Sequence, residues 1–264
     1  MNKIIVGNLK ANILNSRERE IYVSSFKKML AQKKMKHLKI VLCPPFVHLE
    51  YFVKNIKSQS VKIGAQNAFW EGSGSFTGEI TPGMIKAIGG EFVIVGHSER
   101  RRYFHETDEI ANAKMRLIFK SGLRPIYCIG ESREERNNGE TKQVITRQIR
   151  EGLKGLSSMN LEKIIFAYEP VWAVGTDAIP TSNDILEVKI LIKKIIVEMY
   201  GIKEVEKIII LYGGSVKTNT VQQVCLDPKM DGVLVGRESL NPGEFLKIGE
   251  IISFNNNGMR NEPI

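Results

Sequence analysis

The chain has 264 residues, 42% of them hydrophobic and 25% charged, which is enough apolar material for a sizeable core and excludes a disordered or fibrous class. No apolar run approaches a membrane span, and the N-terminus MNKIIVGNLK lacks the apolar stretch of a secretory leader, so a cytoplasmic protein is expected. The formal net charge is +9, but Lys27, Lys28, Lys33, Lys34 and Lys36 alternate with apolar residues like a solvated face and no RNP-like or zinc-finger motif accompanies them, so neither nucleic acid nor membrane is expected as a partner.

In chain order, short apolar runs read as strands at Lys3–Asn8, Leu38–Cys43, Val61–Ala65, Phe92–Val95, Arg124–Ile129, Lys163–Tyr168, Lys207–Leu211 and Gly232–Val235. Runs such as KIIIL and FVIV are continuous rather than alternating, as parallel strands covered on both faces are. Amphipathic stretches lie between them. Glu18–Leu30 carries Ile21, Phe26 and Leu30, and Ile185–Tyr200 carries Ile185, Leu186, Ile190, Ile192, Ile196 and Met199. Strand then helix, repeated, predicts an α/β fold, a (β/α)8 TIM barrel. A doubly wound open sheet is the alternative, but it usually shows a Gly-rich dinucleotide turn, and no GxGxxG occurs. The chain shows no linker, so residues 1–254 are taken as one domain. The polar stretch 255–264 has no hydrophobic face and is expected to be disordered.

Cys43, Cys128 and Cys225 are far apart and form no CxxC and no metal-ligand spacing. They read as reduced, buried thiols; neither a metal nor a cofactor is expected.

Function in a parallel barrel gathers where strands end. Those ends carry Asn8-Leu9-Lys10, then Gly96-His97-Ser98-Glu99-Arg100, then Glu169-Pro170 onward to Gly175, then Gly213-Gly214-Ser215, and last Gly236-Arg237. A Lys, a His and a Glu thus converge on one face. A single carboxylate can move a proton between adjacent carbons, a neutral imidazole can serve the oxygens, and a Lys places positive charge where negative charge develops. Gly-rich turns offer backbone N–H groups to a phosphate.

The segments VGHSERR (95–101), AYEPVWAVGT (167–176), YGGSV (212–216), DGVLVGRESL (231–240), GAQNAFWEGSGSFTGEIT (64–81) and YCIGE (127–131) strongly resemble the triosephosphate isomerase family, in register from residue 3 to about residue 254. The resemblance implies interconversion of dihydroxyacetone phosphate and glyceraldehyde 3-phosphate through an enediolate, in glycolysis and gluconeogenesis. It implies Glu169 as catalytic base, His97 as electrophile and Lys10 with Asn8 and Leu9 at the substrate. Gly175, Ser215, Gly236 and Arg237 fall on its phosphate-binding positions, and Ser98, Glu99 and Cys128 stand behind the catalytic groups. It further implies a homodimer, with the loop around Phe76 and Thr77 docking into a neighbour and Arg100 bracing the interface; Arg101 and Arg102 read as solvated. Pro170–Thr176 reads as a lid closing over the substrate.

Two positions depart from the family pattern. Leu9 replaces a Trp, and Arg237 replaces a Gly, which puts the backbone angles there in question. Among alternatives, a serine hydrolase elbow fails at Arg100, where a Gly belongs, and His37, His48, His97 and His105 provide no base well downstream of Ser98. Another phosphate-binding barrel isomerase would use the same glycine turns. A non-catalytic binding protein would be free to lose Lys10, His97 or Glu169, and all three are present.

Overall fold

A computed structural model describes residues 3–33, 35, 37–173 and 178–258. Lys34, Lys36, Gly175, Thr176 and the end of the chain from 259 lie outside the described residues. Eight strands form: β1 (Lys3–Asn8), β2 (Leu38–Cys43), β3 (Val61–Ala65), β4 (Phe92–Val95), β5 (Arg124–Ile129), β6 (Ile165–Tyr168), β7 (Ile209–Tyr212) and β8 (Gly232–Val235). Each pairs in parallel with its neighbours, and β8 returns to β1 with Gly7 opposite Val235, so the sheet closes into a barrel. β6 starts two residues later than expected, and β7 spans Ile209–Tyr212 rather than 207–211.

Helices join the strands: α1 (Ser16–Ala31), α2 (Phe46–Asn55), α3 (Pro82–Ala87), α4 (Ser98–Phe104), α5 (Asp108–Lys120), α6 (Arg133–Asn137), α7 (Thr141–Gly152), α8 (Ser158–Leu161), α9 (Ser182–Tyr200), α10 (Ile202–Val205) and α11 (Pro242–Gly258). None of those described is long and apolar enough to cross a membrane. The last runs past residue 254, so the first part of the stretch expected as a tail is helical backbone.

Two apolar layers follow from the strand period of two. Ile4, Val6, Val41, Cys43, Phe92, Ile94, Ile126, Cys128, Ile165, Ala167, Leu211 and Leu234 fill the barrel interior. The residues that alternate with them, such as Ile5, Val93, Tyr127 and Phe166, point outward and pack under the helices. The interior parity continues upward from Val6 to Asn8 and from Ala167 to Glu169. The same alternation that builds the core therefore delivers two polar side chains above it, at the C-terminal rim.

The helices dock by narrower stripes than the sequence suggests. Asn15 caps α1 by accepting the Glu18 N–H at 3.0 Å, and Tyr22, Val23 and Phe26 are its buried face. Ile21, expected in that face, is 56% exposed, because the stripe at 22, 23 and 26 turns it toward solvent. In α9, started by a Thr181–Asp184 capping box, Ile185, Val188, Ile192, Ile195 and Ile196 are buried, whereas Leu186 and Ile190 stand outside. Of the lysines read as a solvated face, Lys27 and Lys28 are exposed and Lys33 pairs with Glu250.

Candidate active site

His97 leaves β4 through Gly96, whose φ of 71° turns the chain, and it caps the first turn of α4. Its Nδ1 accepts the Glu99 N–H at 3.2 Å, and its Nε2 lies 3.2 Å from Glu169 Oε1. A nitrogen that accepts a backbone N–H carries no proton. The imidazole is therefore neutral in this arrangement, with its hydrogen on Nε2 and directed at the carboxylate.

Glu169 follows β6 and is 3% exposed. Its Oε2 accepts the Ser98 N–H at 2.9 Å, so both carboxylate oxygens are held by the β4–α4 corner. The space around it depends on glycine. A Cβ at Gly130 would fall 1.7 Å from the Glu169 carbonyl oxygen, and one at Gly213 would fall 2.9 Å from its Cγ. The Gly130 corner is itself clamped by Gln148 of α7, which accepts the Gly130 N–H at 2.8 Å and donates to its carbonyl at 3.0 Å.

Lys10 reaches the same rim from β1. Its backbone is left-handed, with φ 50°. Asn8 Oδ1 accepts its N–H at 3.1 Å, and Gln66 Nε2 donates to its carbonyl at 2.9 Å while also donating to the Cys43 carbonyl. The ammonium lies 2.5 Å from Glu99 Oε1. Asn8, Lys10, His97, Glu169, Gly213, Gly214, Leu234 and Gly236 line one cleft.

The remaining expected residues take other places. Leu9 does not face the cleft: it is fully buried in the outer core, where removing such a side chain from water contributes roughly 1.5–3 kcal/mol. Ser215 Oγ donates to the Ala173 carbonyl at 3.2 Å, joining the β7 loop to the short 3-10 turn Val171–Ala173. Arg237 is exposed and begins the 3-10 turn Arg237–Leu240 with no left-handed angle, so the backbone accepts a side chain there without strain. Cys128 is an interior residue of β5; burial, helped by the nearby Glu169 carboxylate, pushes its thiol well above the ordinary range, and it stays protonated. Burial likewise pushes the Cys43 thiol upward, and the Cys225 thiol to about 12. Arg101 is not solvated as expected. It donates to the Gly96 carbonyl at 2.9 Å and pairs with Asp108 at 2.6 Å, bracing the corner below His97.

Several supporting groups were not singled out from the sequence. Glu106, almost wholly buried, accepts the Gly96 N–H at 2.7 Å and pairs at 2.6 Å with both Arg100 and the buried Lys114, which also donates to Asn67. Burial pushes the Glu106 carboxyl up, but Lys114, Arg100 and the Gly96 N–H outweigh it and hold it below the usual carboxylate range. Glu131 accepts Trp172 Nε1 at 2.9 Å and the Tyr168 hydroxyl at 3.2 Å; burial raises its carboxyl. Arg133 donates to the Trp172 carbonyl at 2.8 Å, and the Arg136 guanidinium lies 4.3 Å above the Trp172 ring. The YCIGE and AYEPVWA segments contained some of these residues, but no spacing rule announced that they meet. Among the described residues no group of three or more His, Cys, Asp or Glu is arranged to hold a metal ion.

A closed parallel barrel with a carboxylate, a neutral imidazole and an ammonium at its C-terminal rim defines the class: a (β/α)8-barrel enzyme equipped for proton transfer. The triosephosphate isomerase family model matches residues 3–252. The chain is 46% identical over 246 residues to the triosephosphate isomerase of Dictyoglomus thermophilum, covering 93% of this chain and 98% of that one. It is 42% identical over 245 residues to that of Caldanaerobacter subterraneus subsp. tengcongensis and 41% identical over 245 to that of Lactobacillus delbrueckii subsp. bulgaricus, with 93% of this chain covered in both and 97% and 96% of the relatives. The chain belongs to the triosephosphate isomerase family.

Proposed function

We propose that Glu169, His97 and Lys10 carry the reaction in the cleft described above. The reaction is that of an aldose–ketose isomerase, the interconversion of dihydroxyacetone phosphate and D-glyceraldehyde 3-phosphate, a step of glycolysis and gluconeogenesis. Glu169 takes a proton from the carbon beside the carbonyl and returns it to the neighbouring carbon. To do so its carboxylate exchanges the Ser98 N–H for the substrate. His97 gives its Nε2 proton to the former carbonyl oxygen and takes up the proton of the neighbouring hydroxyl, so the proton lost by one enediolate oxygen is made good at the other, and the Lys10 ammonium, oriented by Glu99, stabilises their negative charge. A Glu base with a neutral His electrophile is the established division of labour in triosephosphate isomerases, the type case of such pairing. The observation that carries the reading is the His97 Nε2 to Glu169 Oε1 distance of 3.2 Å with Nδ1 occupied by a backbone N–H.

The phosphate is assigned to backbone N–H groups near Ser215, Gly236 and Arg237; Gly175, which belongs to the same assignment, lies outside the described residues. The same reading takes 1–254 as the catalytic domain and places the protein in the cytoplasm, in keeping with its free, buried cysteines. A homodimer is supported by apolar side chains left in water beyond the ends of neighbouring strands: Leu14 at 82%, Val47 at 81% and Phe76 at 42% exposure, with Thr77 beside the last. A coupled assay with glyceraldehyde 3-phosphate on purified protein tests the activity; turnover at the uncatalysed rate would overturn it.

A further inference from the structure

The loop from β1 to α1 holds a second left-handed residue besides Lys10. Ile13 has φ 66°, a region that a β-branched side chain rarely adopts because its Cβ crowds the neighbouring carbonyl. Such a conformation persists only where surrounding groups hold it. The carbonyl of Ile13 is held by His48, the third residue of α2, whose Nε2 lies 2.8 Å from it. A carbonyl only accepts, so Nε2 carries the hydrogen. The ring is buried at 6% exposure, and its Nδ1 has no hydrogen-bond partner among the described residues. A buried imidazole with one nitrogen unsatisfied is placed for the single bond that its other nitrogen makes.

The loop is thus tied at both ends. Asn8 and Gln66 fix the Lys10 end, and His48 fixes the Ile13 end. We propose that His48 is a positioning residue for Lys10: by holding the Ile13 carbonyl it keeps the three-residue step from Lys10 in the one shape that delivers the ammonium to Glu99 and the cleft. Without that bond Ile13 relaxes to negative φ, the chain between the two residues redirects, and Lys10 loses its place. This rests on the assignment of Lys10 to the substrate made above.

The test compares His48→Phe, which keeps ring volume without a donor, with His48→Gln, whose amide nitrogen reaches the position of Nε2. In steady-state assays His48→Phe is expected to lower kcat/KM for glyceraldehyde 3-phosphate about tenfold, with kcat falling more than KM rises, and His48→Gln to recover most of that loss. Ile13→Gly supplies the second arm. Glycine adopts positive φ unaided, so His48→Phe in that background is expected to cost less than about twofold. An equal defect in both backgrounds, or a kcat/KM in His48→Phe unchanged from wild type, overturns the proposal. If His48→Phe fails to fold, His48→Ala alone and combined with Ile13→Gly gives the same comparison. Lys10→Met, assayed in parallel, separates the two readings: activity near wild type would overturn the role of Lys10 itself, whereas a severe loss there with no change of kcat/KM in His48→Phe removes only the role of His48.

Discussion

His97 and Glu169 meet at 3.2 Å, Nε2 to Oε1, and the far side of the imidazole is closed by the Glu99 N–H. One ring nitrogen is therefore committed to accepting, and the other presents a hydrogen to the same cleft that the carboxylate occupies. The carboxylate and the imidazole are placed by different strands, β6 and β4, yet share the first turn of α4 as their anchor, through the N–H groups of Ser98 and Glu99.

Glu169→Gln keeps the shape of the side chain and removes its ability to take a proton. We expect kcat to fall at least about 10³-fold, in the range found for general bases, with little change in KM. Steady-state kinetics check this, and turnover within tenfold of wild type would remove Glu169 as the base.

Gly130→Ala places a methyl group 1.7 Å from the Glu169 carbonyl oxygen, a distance that no relaxation of a flexible side chain relieves, since the atom it meets is backbone. Either the end of β5 or Glu169 itself must shift. The expected outcome is a loss of about 1–3 kcal/mol in stability together with a loss of turnover. A thermal melt and an assay on the same preparation decide it; unchanged values for both would mean that the two strand ends are not this close.

Acid stability should depend on Glu106. Folding lowers its pKa, so its contribution is complete above the ordinary unfolded value of about 4.3 and disappears as pH falls through the lower folded value. Glu106→Gln leaves Lys114 buried without its counter-charge, and we expect a loss of about 3–5 kcal/mol at neutral pH. Denaturant melts across pH should show the gap between variant and wild type narrowing below about pH 4. A gap independent of pH would show that the carboxylate charge is not what stabilises the Gly96 corner.

Phe76 is half exposed in a loop otherwise rich in Gly and Ser, packed on Phe69 of its own chain with ring centroids 4.8 Å apart. If that ring anchors a second copy, Phe76→Asp should shift sedimentation from dimer toward monomer at micromolar concentration, because it buries a charge without a partner. Wild-type protein that sediments as a monomer would contradict the dimer outright.

The sequence by itself determined the barrel. Continuous apolar runs separated by amphipathic ones leave few other ways to bury both faces of a parallel sheet, and six of the eight strands begin and end where those runs do. It also determined which residues crown the barrel, because strand parity carries Asn8 and Glu169 onto the interior face, and His97 lies just past a strand end. The helix faces were less legible: Ile21, Leu186 and Ile190 are apolar yet exposed, since an apolar residue marks a helix without saying which side meets the sheet. Tertiary structure alone decided that Leu9 is core, that Arg101 is a brace rather than a solvated charge, that Arg237 sits on unstrained backbone, and that Gln66, His48, Glu106 and Lys114 hold the loops that carry the site. The reason is physical. Periodicity is a property of neighbours in sequence, whereas a hydrogen bond from His48 to Ile13 or the close approach of Gly130 to Glu169, which leaves no room for a Cβ, joins residues 35 and 39 positions apart, and only the lateral pairing of β1 with β2 and of β5 with β6 brings them within reach.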